Sequence, residues 1–176
     1  VVETHVHFPT DISLLWDATR KVVILTARLS EAHQLTLWRQ SKFNLRQLKK
    51  AYRKVQKAKH STSKDEQKKM AQQQVVIQAC EAYLQGSVAL VHKAQHTLTL
   101  DTFNSPDEAL QVLEIEGFIA HAHRQIEQIK RRVIHDEQIL HREKVFSIFQ
   151  PHTEWISKGK AGVAVELGLK TCVLED

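Results

Sequence analysis

The sequence has few of the residues that interrupt regular structure, with five glycines and three prolines among 176 residues. This scarcity favours long regular elements over a chain built mainly from turns. The two cysteines, Cys80 and Cys172, are too few for a disulfide framework and fit a reducing cytoplasm. The chain also lacks a signal peptide and any apolar run of about 18 residues, so we expect a cytoplasmic location and no membrane span. With 42% hydrophobic residues, it is long enough to form one domain with its own core.

The net charge of +5 conceals an uneven distribution of charge along the chain. From Arg39 to Lys69 there are twelve Lys or Arg against two acids, Asp65 and Glu66, which gives +10 and leaves −5 for the remainder. A basic block in an otherwise mildly acidic protein suggests a polyanionic partner such as DNA. The alternative is a helix face that is only solvated.

Most of the basic block is predicted to form one helix, from about Ser41 to His60. Its apolar stripe consists of Leu45, Leu48, Tyr52 and Val55. The helix contains no acid, so its cations repel one another, and phosphate groups would relieve that repulsion. The cations that we predict to contact nucleic acid are Lys49, Lys50, Arg53, Lys54 and Lys57.

The amino-terminal region is predicted to be a strand over residues 1–8 and then a helix. Pro9 ends the strand, and Thr10 can cap a helix that runs from Asp11 to about His33. The apolar residues of this helix recur at helical spacing, which indicates a face directed to the core. They are Leu15, Ala18, Val22, Leu25 and Leu29.

Two further helices are predicted from apolar residues spaced by seven, the pattern of a coiled-coil seam. In the first, the heptad positions are Met70, Ile77, Leu84, Val91 and Leu98, with Cys80, Ser87 and Ala94 between them. In the second they are Val112, Ile119, Ile126, Val133 and Leu140, with Ile115, Ala122 and Ile129 between them. A short connection, and a capping-box start at Ser105, Pro106 and Glu108, predict an antiparallel coiled-coil hairpin over residues 64–141.

The carboxy-terminal region is predicted to contain two strands, over residues 145–149 and 167–174. The connection between them contains a turn in which Lys158 and Lys160 flank Gly159. A glycine lets the backbone approach a phosphate, and the two lysines would neutralise it, so we predict that both contact nucleic acid. The alternative is a hairpin turn in which the lysines only promote solubility.

Eleven histidines raise the question of a metal site. His92 and His96 have the i,i+4 spacing of two helical ligands, but the sequence places no third ligand near them. We therefore predict no metal site at this pair.

Two segments resemble bacterial insertion-sequence transposases of the DDE type. They are VVETHVHFPTDISLLWDATRKV at the amino end and PHTEWISKGKAGVAVELGLKTCVLED at the carboxy end. The amino-terminal segment resembles the family's first catalytic strand with the helix after it. The carboxy-terminal segment resembles the strand pair that follows in that family. The segments occur in the family's order, and the middle of the chain resembles the family's helical insertion.

The resemblance implies a predominantly helical α+β protein with a partial RNase H-like antiparallel sheet. Residues 1–9 and 144–176 would form the sheet, and residues 10–143 would form a helical insertion that includes the coiled-coil hairpin. The implied function is metal-dependent cleavage and strand transfer of DNA. The implied cofactor is magnesium, held by three carboxylates in the manner of two-metal phosphoryl transfer.

The sequence offers none of those three carboxylates. By the resemblance, the first aspartate precedes Val1 and the other two acids follow Asp176, while Glu3 points by strand parity away from the required face. We therefore assign no catalytic residue or metal ligand, and expect residues 1–176 to be part of a longer protein and inactive alone. Homo-oligomerisation is possible. The alternative functions are a non-enzymatic DNA-binding module built on the 41–60 helix, and a coiled-coil dimerisation module.

Overall fold

A computed structural model describes residues 10–60, 65–100, 103, 105–150, 153–157 and 165–168. Within them the α-helices are α1 (Asp11–Ala32), α2 (Ser41–His60), α3 (Glu66–Leu100) and α4 (Pro106–Ile129). Shorter turns of helix occupy Thr36–Trp38, Lys130–Ile134 and His141–Glu143, and the strands are β1 (Glu154–Ser157) and β2 (Val165–Gly168). The described part of the chain is thus predominantly helical with a small antiparallel sheet, which confirms the predicted fold class at this level. None of its helices combines the length and the apolar content that crossing a membrane requires.

The central element is α1, which contacts α2, α3 and α4. It begins where the sequence predicts, because Thr10 and Ser13 form a reciprocal cap. The Thr10 hydroxyl accepts a hydrogen bond from the Ser13 amide at 3.2 Å, and the Thr10 amide donates to Ser13 Oγ at 2.9 Å. Its residues Leu15, Ala18 and Val22 are fully buried, so α1 forms the middle of the hydrophobic core.

Two buried hydrogen bonds join distant parts of the bundle. The Tyr83 hydroxyl of α3 donates to the backbone oxygen of Ile12 at 3.1 Å. The Trp38 indole, between α1 and α2, donates from Nε1 to Thr97 Oγ1 at 2.9 Å. Both aromatic side chains are buried with their polar atoms satisfied, which orients α3 against α1 and against the α1–α2 connection.

The heptad pattern correctly predicts which residues are buried in the middle of α3 and α4. It is wrong at the start of α3 and beyond the end of α4, where heptad residues are exposed. Leu84, Val91, Ile119 and Ile126 are buried as predicted. By contrast, Met70 is 60% exposed at the start of α3. The main neighbour of α4 is α1, and that of α3 is α2, so the heptad residues pack into a bundle of helices rather than a seam between two.

The second helix of the predicted hairpin ends at Ile129 and not near Leu140. The chain then makes one wide helical turn over Lys130–Ile134, and Asp136 adopts a left-handed backbone conformation with φ of 53°. Arg131 stabilises this exit, because its guanidinium donates to Glu137 at 2.8 Å and to Glu143 at 2.7 Å. The heptad residue Leu140 therefore lies beyond the helix and is half exposed.

The predicted strand over residues 145–149 is wrong, since this segment is irregular. Ser147 explains the difference, because its Oγ accepts hydrogen bonds from the amides of Phe149 and Gln150 at 3.3 and 3.0 Å. Such local bonds compete with a strand ladder. Ile148 is nonetheless buried in the core.

The sheet pairs β1 with β2 instead, with Trp155 opposite Leu167 and Ile156 opposite Glu166. The predicted strand over residues 167–174 overlaps β2 only at residues 167 and 168. Its remainder, the predicted strand over residues 1–8 and the turn with Lys158 and Lys160 lie outside the described residues. The structure therefore gives no position for those two lysines.

A buried amide in α4 leads to a prediction about stability. Gln125 is fully buried, and neither its Nε2 nor its Oε1 has a hydrogen-bond partner within the described residues. Burying an unpaired amide costs about 1–3 kcal/mol, so Gln125→Leu is expected to raise the free energy of unfolding by about 1 kcal/mol. Urea denaturation measures the free energy of unfolding of the variant and of the wild type.

The matched control is Gln128→Leu, three positions further along α4. The Gln128 side chain donates from Nε2 to the backbone oxygen of Glu143, while its Oε1 has no partner within the described residues, so its replacement is expected to change the free energy of unfolding by less than about 0.5 kcal/mol. An equal change of both variants in the same direction would contradict this explanation.

Candidate nucleic-acid interface

The candidate site is the solvent-exposed side of α2, called here the basic face. Leu48, Val55 and Ala58 are buried on the opposite side of the helix, against α3 and α1. Because an α-helix repeats every 3.6 residues, this burial turns the intervening residues outward. All five cations predicted on this helix are exposed, as are two more away from its buried side: Lys42, Arg46, Lys49, Lys50, Arg53, Lys54 and Lys57.

The cations of the basic face form a line along the helix axis. Lys42, Arg46, Lys50, Arg53 and Lys57 follow one another at steps of three or four residues, which places them on one side. From Lys42 to Lys57 the line is about 22 Å long at 1.5 Å per residue. A continuous positive line of this length matches a nucleic-acid backbone better than a single small anion.

The positive charge of the basic face is not neutralised by neighbouring acids. In the part of the chain that the structure describes, none of the seven cations forms an ion pair. Two of them make other contacts: Arg46 Nε donates to the backbone oxygen of Lys42 at 3.4 Å, and Lys49 Nζ lies 5.9 Å from the centre of the Trp16 ring. Lys50, Arg53, Lys54 and Lys57 are therefore the cations best placed to meet a phosphate.

A stack of aromatic rings fixes α2 on the bundle. The Trp16 ring of α1 lies 5.7 Å from the Tyr52 ring of α2, which lies 6.0 Å from the Tyr83 ring of α3. Burial raises the pKa of Tyr52, and the nearby charge of Asp17 raises it further. Burial also raises the pKa of Asp17, against the opposing effect of Arg20. The packing of these three rings holds α2 against α1 and α3.

A cavity of about 560 Å³ lies at the amino end of α2 and adjoins the basic face. Arg39 and Lys42 line it together with Glu31 and Gln34, so it extends the positive surface beyond the first turn of the helix. The sequence prediction omitted Lys42, Arg46 and Arg39 from the site. The i,i+4 repeat from Lys42 through Arg46 to Lys50 could have identified the first two, whereas the position of Arg39 depends on the fold.

The histidines form no metal site within the described residues. His92 faces the His123 ring at a centre-to-centre distance of 6.5 Å, and His123 contacts Gln95 at 3.3 Å. No group of three or more His, Cys, Asp or Glu side chains in those residues could hold one ion. His33 instead joins α1 to α4, because its Nε2 lies 2.9 Å from Glu108 Oε1. Hydrogen bonds from Ser105 and then His33 lower the pKa of Glu108.

The interface assembled from these contacts is a helix packed on the bundle, which presents to solvent a line of cations that form no ion pair within the described residues. Two of the seven predicted contacts, Lys158 and Lys160, lie outside the described residues and cannot be added to it. Comparisons with protein-family models, with curated proteins and with solved structures found no match to this chain.

Proposed function

We propose that this chain binds DNA through the basic face of α2, as part of a DDE-type insertion-sequence transposase. The observation that carries the proposal is the line of exposed cations without acidic partners, held on a helix that aromatic packing fixes to the bundle. Such a face gains free energy from phosphate contacts through the release of condensed counterions.

The composition of the basic face favours contacts with the backbone of DNA over recognition of bases. Lysine is a flexible point charge, and five of the seven cations are lysines. Contacts to phosphates position a protein on the duplex but carry no sequence information. We therefore infer that the basic face holds DNA regardless of its sequence.

The transposase part of the proposal rests on the two segments that resemble the DDE family. The hairpin of β1 and β2 lies inside the carboxy-terminal segment, and on this proposal it belongs to a partial RNase H-like sheet. The helical residues 10–143 are then the insertion that holds DNA beside that sheet. Magnesium would polarise the scissile phosphate; no group of acids within the described residues fits it, so the proposal assigns it no ligand among them.

The test separates DNA binding from catalysis. Residues 1–176, purified alone, are expected to bind duplex DNA with little preference for sequence and to leave a supercoiled plasmid intact in magnesium. By the resemblance, a protein extended at both ends to include the family's three carboxylates is expected to nick a plasmid that carries the element's ends. Fluorescence anisotropy measures binding, and gel electrophoresis measures nicking.

Each outcome bears on a different part of the proposal. A chain that fails to bind duplex DNA at low salt would disprove the role of the basic face. Metal-dependent nicking by residues 1–176 alone would show that the catalytic acids have been misplaced. Binding without nicking by the extended protein would favour the alternative of a non-enzymatic DNA-binding module.

A further inference from the structure

The cavity at the amino end of α2 is lined by polar side chains that the fold does not use. It has a volume of about 560 Å³, within the range of about 300–1,000 Å³ that is usual for small-molecule sites. Among the described residues, none of the polar side chains that line it forms a side-chain hydrogen bond or an ion pair. Their hydrogen-bonding groups are therefore available to a ligand. These side chains are Glu31, Gln34, Thr36, Arg39, Ser41 and Lys42.

The backbone at Gln34 indicates that its side chain has a role beyond ending α1. The Leu35 amide donates to the backbone oxygen of Ser30 at 2.8 Å, and the Gln34 amide donates to that of Glu31 at 3.1 Å. This is the helix end at which glycine is usual, because the residue in the position of Gln34 is left-handed, here with φ of 57°. A side chain is sterically unfavourable in that conformation. Glycine would make the same backbone bonds without that cost, so the cap does not explain the glutamine.

The cavity also has an apolar wall, formed by Ala27, Leu35 and Trp38. Trp38 is 3% exposed, and its indole is held by the hydrogen bond from Nε1 to Thr97 Oγ1 at 2.9 Å. By contrast, Glu31, Gln34, Arg39 and Lys42 are exposed, so the polar side can be reached from solvent. An apolar wall beside a few convergent polar groups is the usual composition of a site for an organic ligand.

The charged groups of the cavity restrict the class of ligand. Arg39 and Lys42 are suited to a phosphate. Glu31 is an acceptor only, so it repels a bare phosphate but accepts a hydrogen bond from an amino group. The Gln34 carboxamide both donates and accepts, as does the edge of a nucleobase. A ligand that satisfies all four groups combines a phosphate with a polar edge that bears an amino group.

We propose that this cavity binds one unpaired nucleotide whose base carries an exocyclic amino group. Arg39 and Lys42 contact its phosphate, and Glu31 and Gln34 contact its base. Adenine and cytosine offer the required amino group, whereas thymine does not. The cavity therefore discriminates between bases, unlike the basic face.

The connection between the cavity and the basic face determines how a DNA strand would reach the site. Lys42 lines the cavity and also begins the line of cations that continues through Arg46 and Lys50. A strand whose phosphates follow this line leads an unpaired end into the cavity. This delivery rests on the proposed function, whereas the chemistry of the cavity fits a free mononucleotide equally well.

The first experiment compares three labelled duplexes by fluorescence anisotropy: blunt, with a short adenine overhang and with a thymine overhang of the same length. The wild type is expected to bind the adenine overhang about tenfold more tightly than the blunt duplex, and the thymine overhang with little gain. Gln34→Gly should lose most of the gain and keep the affinity for the blunt duplex. Gln78→Ala, at an exposed position of α3, is the control and should retain the gain.

Two further measurements separate recognition from folding. Gln34→Gly is expected to keep or raise the urea midpoint, because glycine adopts the left-handed conformation without steric cost. A lost gain in this variant therefore reports on the side chain and not on unfolding. Glu31→Gln supplies a donor in place of an acceptor-only group, so it is expected to reduce the preference for adenine over thymine.

The second experiment identifies the source of the nucleotide by titrating dAMP and dTMP in a calorimeter. Binding of dAMP but not dTMP, lost in Gln34→Gly, assigns the cavity to free nucleotides. A gain from the adenine overhang without binding of dAMP assigns it to the ends of DNA strands.

The outcomes distinguish this inference from the proposed function. Equal affinity for the three duplexes together with no binding of dAMP would overturn the nucleotide site and leave DNA binding by the basic face intact. Binding of dAMP by a chain that binds no duplex would overturn the role of the basic face and leave the nucleotide site. Unchanged recognition of adenine by Gln34→Gly would also overturn the inference.

Discussion

Changing Lys50, Arg53, Lys54 and Lys57 together to glutamate is expected to lower the affinity for duplex DNA on the order of a thousandfold at about 0.1 M salt. These four side chains are exposed and form no ion pair within the described residues. If each contacts one phosphate, each contributes about 0.9 to the slope of log K against log salt concentration. Losing all four should flatten that slope by about 3.6. Fluorescence anisotropy with a labelled duplex over a salt series measures both quantities.

The control variant has the same change in total charge, but its substitutions lie outside the basic face. Arg28, Lys130, Arg142 and Lys144 are exposed cations on other parts of the protein. Changing these four to glutamate should lower the affinity much less and leave the salt slope nearly unchanged, because long-range repulsion is screened within about 10 Å at 0.1 M salt. Equal losses for the two variants would mean that total charge, and not the face of α2, decides binding.

Ile126→Asp is expected to lower the free energy of unfolding by about 4 kcal/mol at neutral pH. Ile126 is 5% exposed in the core, so the carboxylate would be desolvated and the space of the side chain would be left partly empty. Met70→Asp, at an equivalent position of the other heptad series, is expected to cost less than about 1 kcal/mol, since Met70 is mostly in solvent. Urea denaturation of the two variants gives the comparison.

The pair of variants distinguishes two arrangements of the same sequence pattern. In the bundle, α4 is covered mainly by α1, and the start of α3 has little cover. In a continuous coiled-coil hairpin, both heptad positions would be buried and both substitutions would be severe. Ile126→Val removes one buried methyl group and is expected to lower the free energy of unfolding by about 1 kcal/mol, which serves as a reference for a conservative change at this site. Similar costs for Ile126→Asp and Met70→Asp would favour the continuous hairpin.

The helices of this protein could be predicted from sequence because their determinants are local. The cap formed by Thr10 and Ser13, and the one formed by Ser105 and Glu108, each begin a helix at the expected residue. The observed span of α2 agrees with the predicted one. Because its apolar stripe is buried, its cations lie in solvent. The basic face was therefore largely predictable, because burying one side of a helix exposes the other.

The tertiary structure decided which element covers each apolar face. Heptad spacing indicates which side of α3 or α4 is apolar. It does not indicate whether that side packs against the other helix, against α1 or against a second molecule. It therefore could not show that Met70 is exposed, nor that Leu110 and Leu113 on the solvent side of α4 are exposed. The end of α4 depends on the contacts of Arg131 with Glu137 and Glu143. The irregular conformation of residues 145–149, by contrast, comes from local hydrogen bonds to Ser147, which periodicity alone does not reveal. Sequence periodicity determined the helices and their faces, whereas contacts between residues distant in the chain decided their partners, because periodicity carries no information about what a buried face will meet.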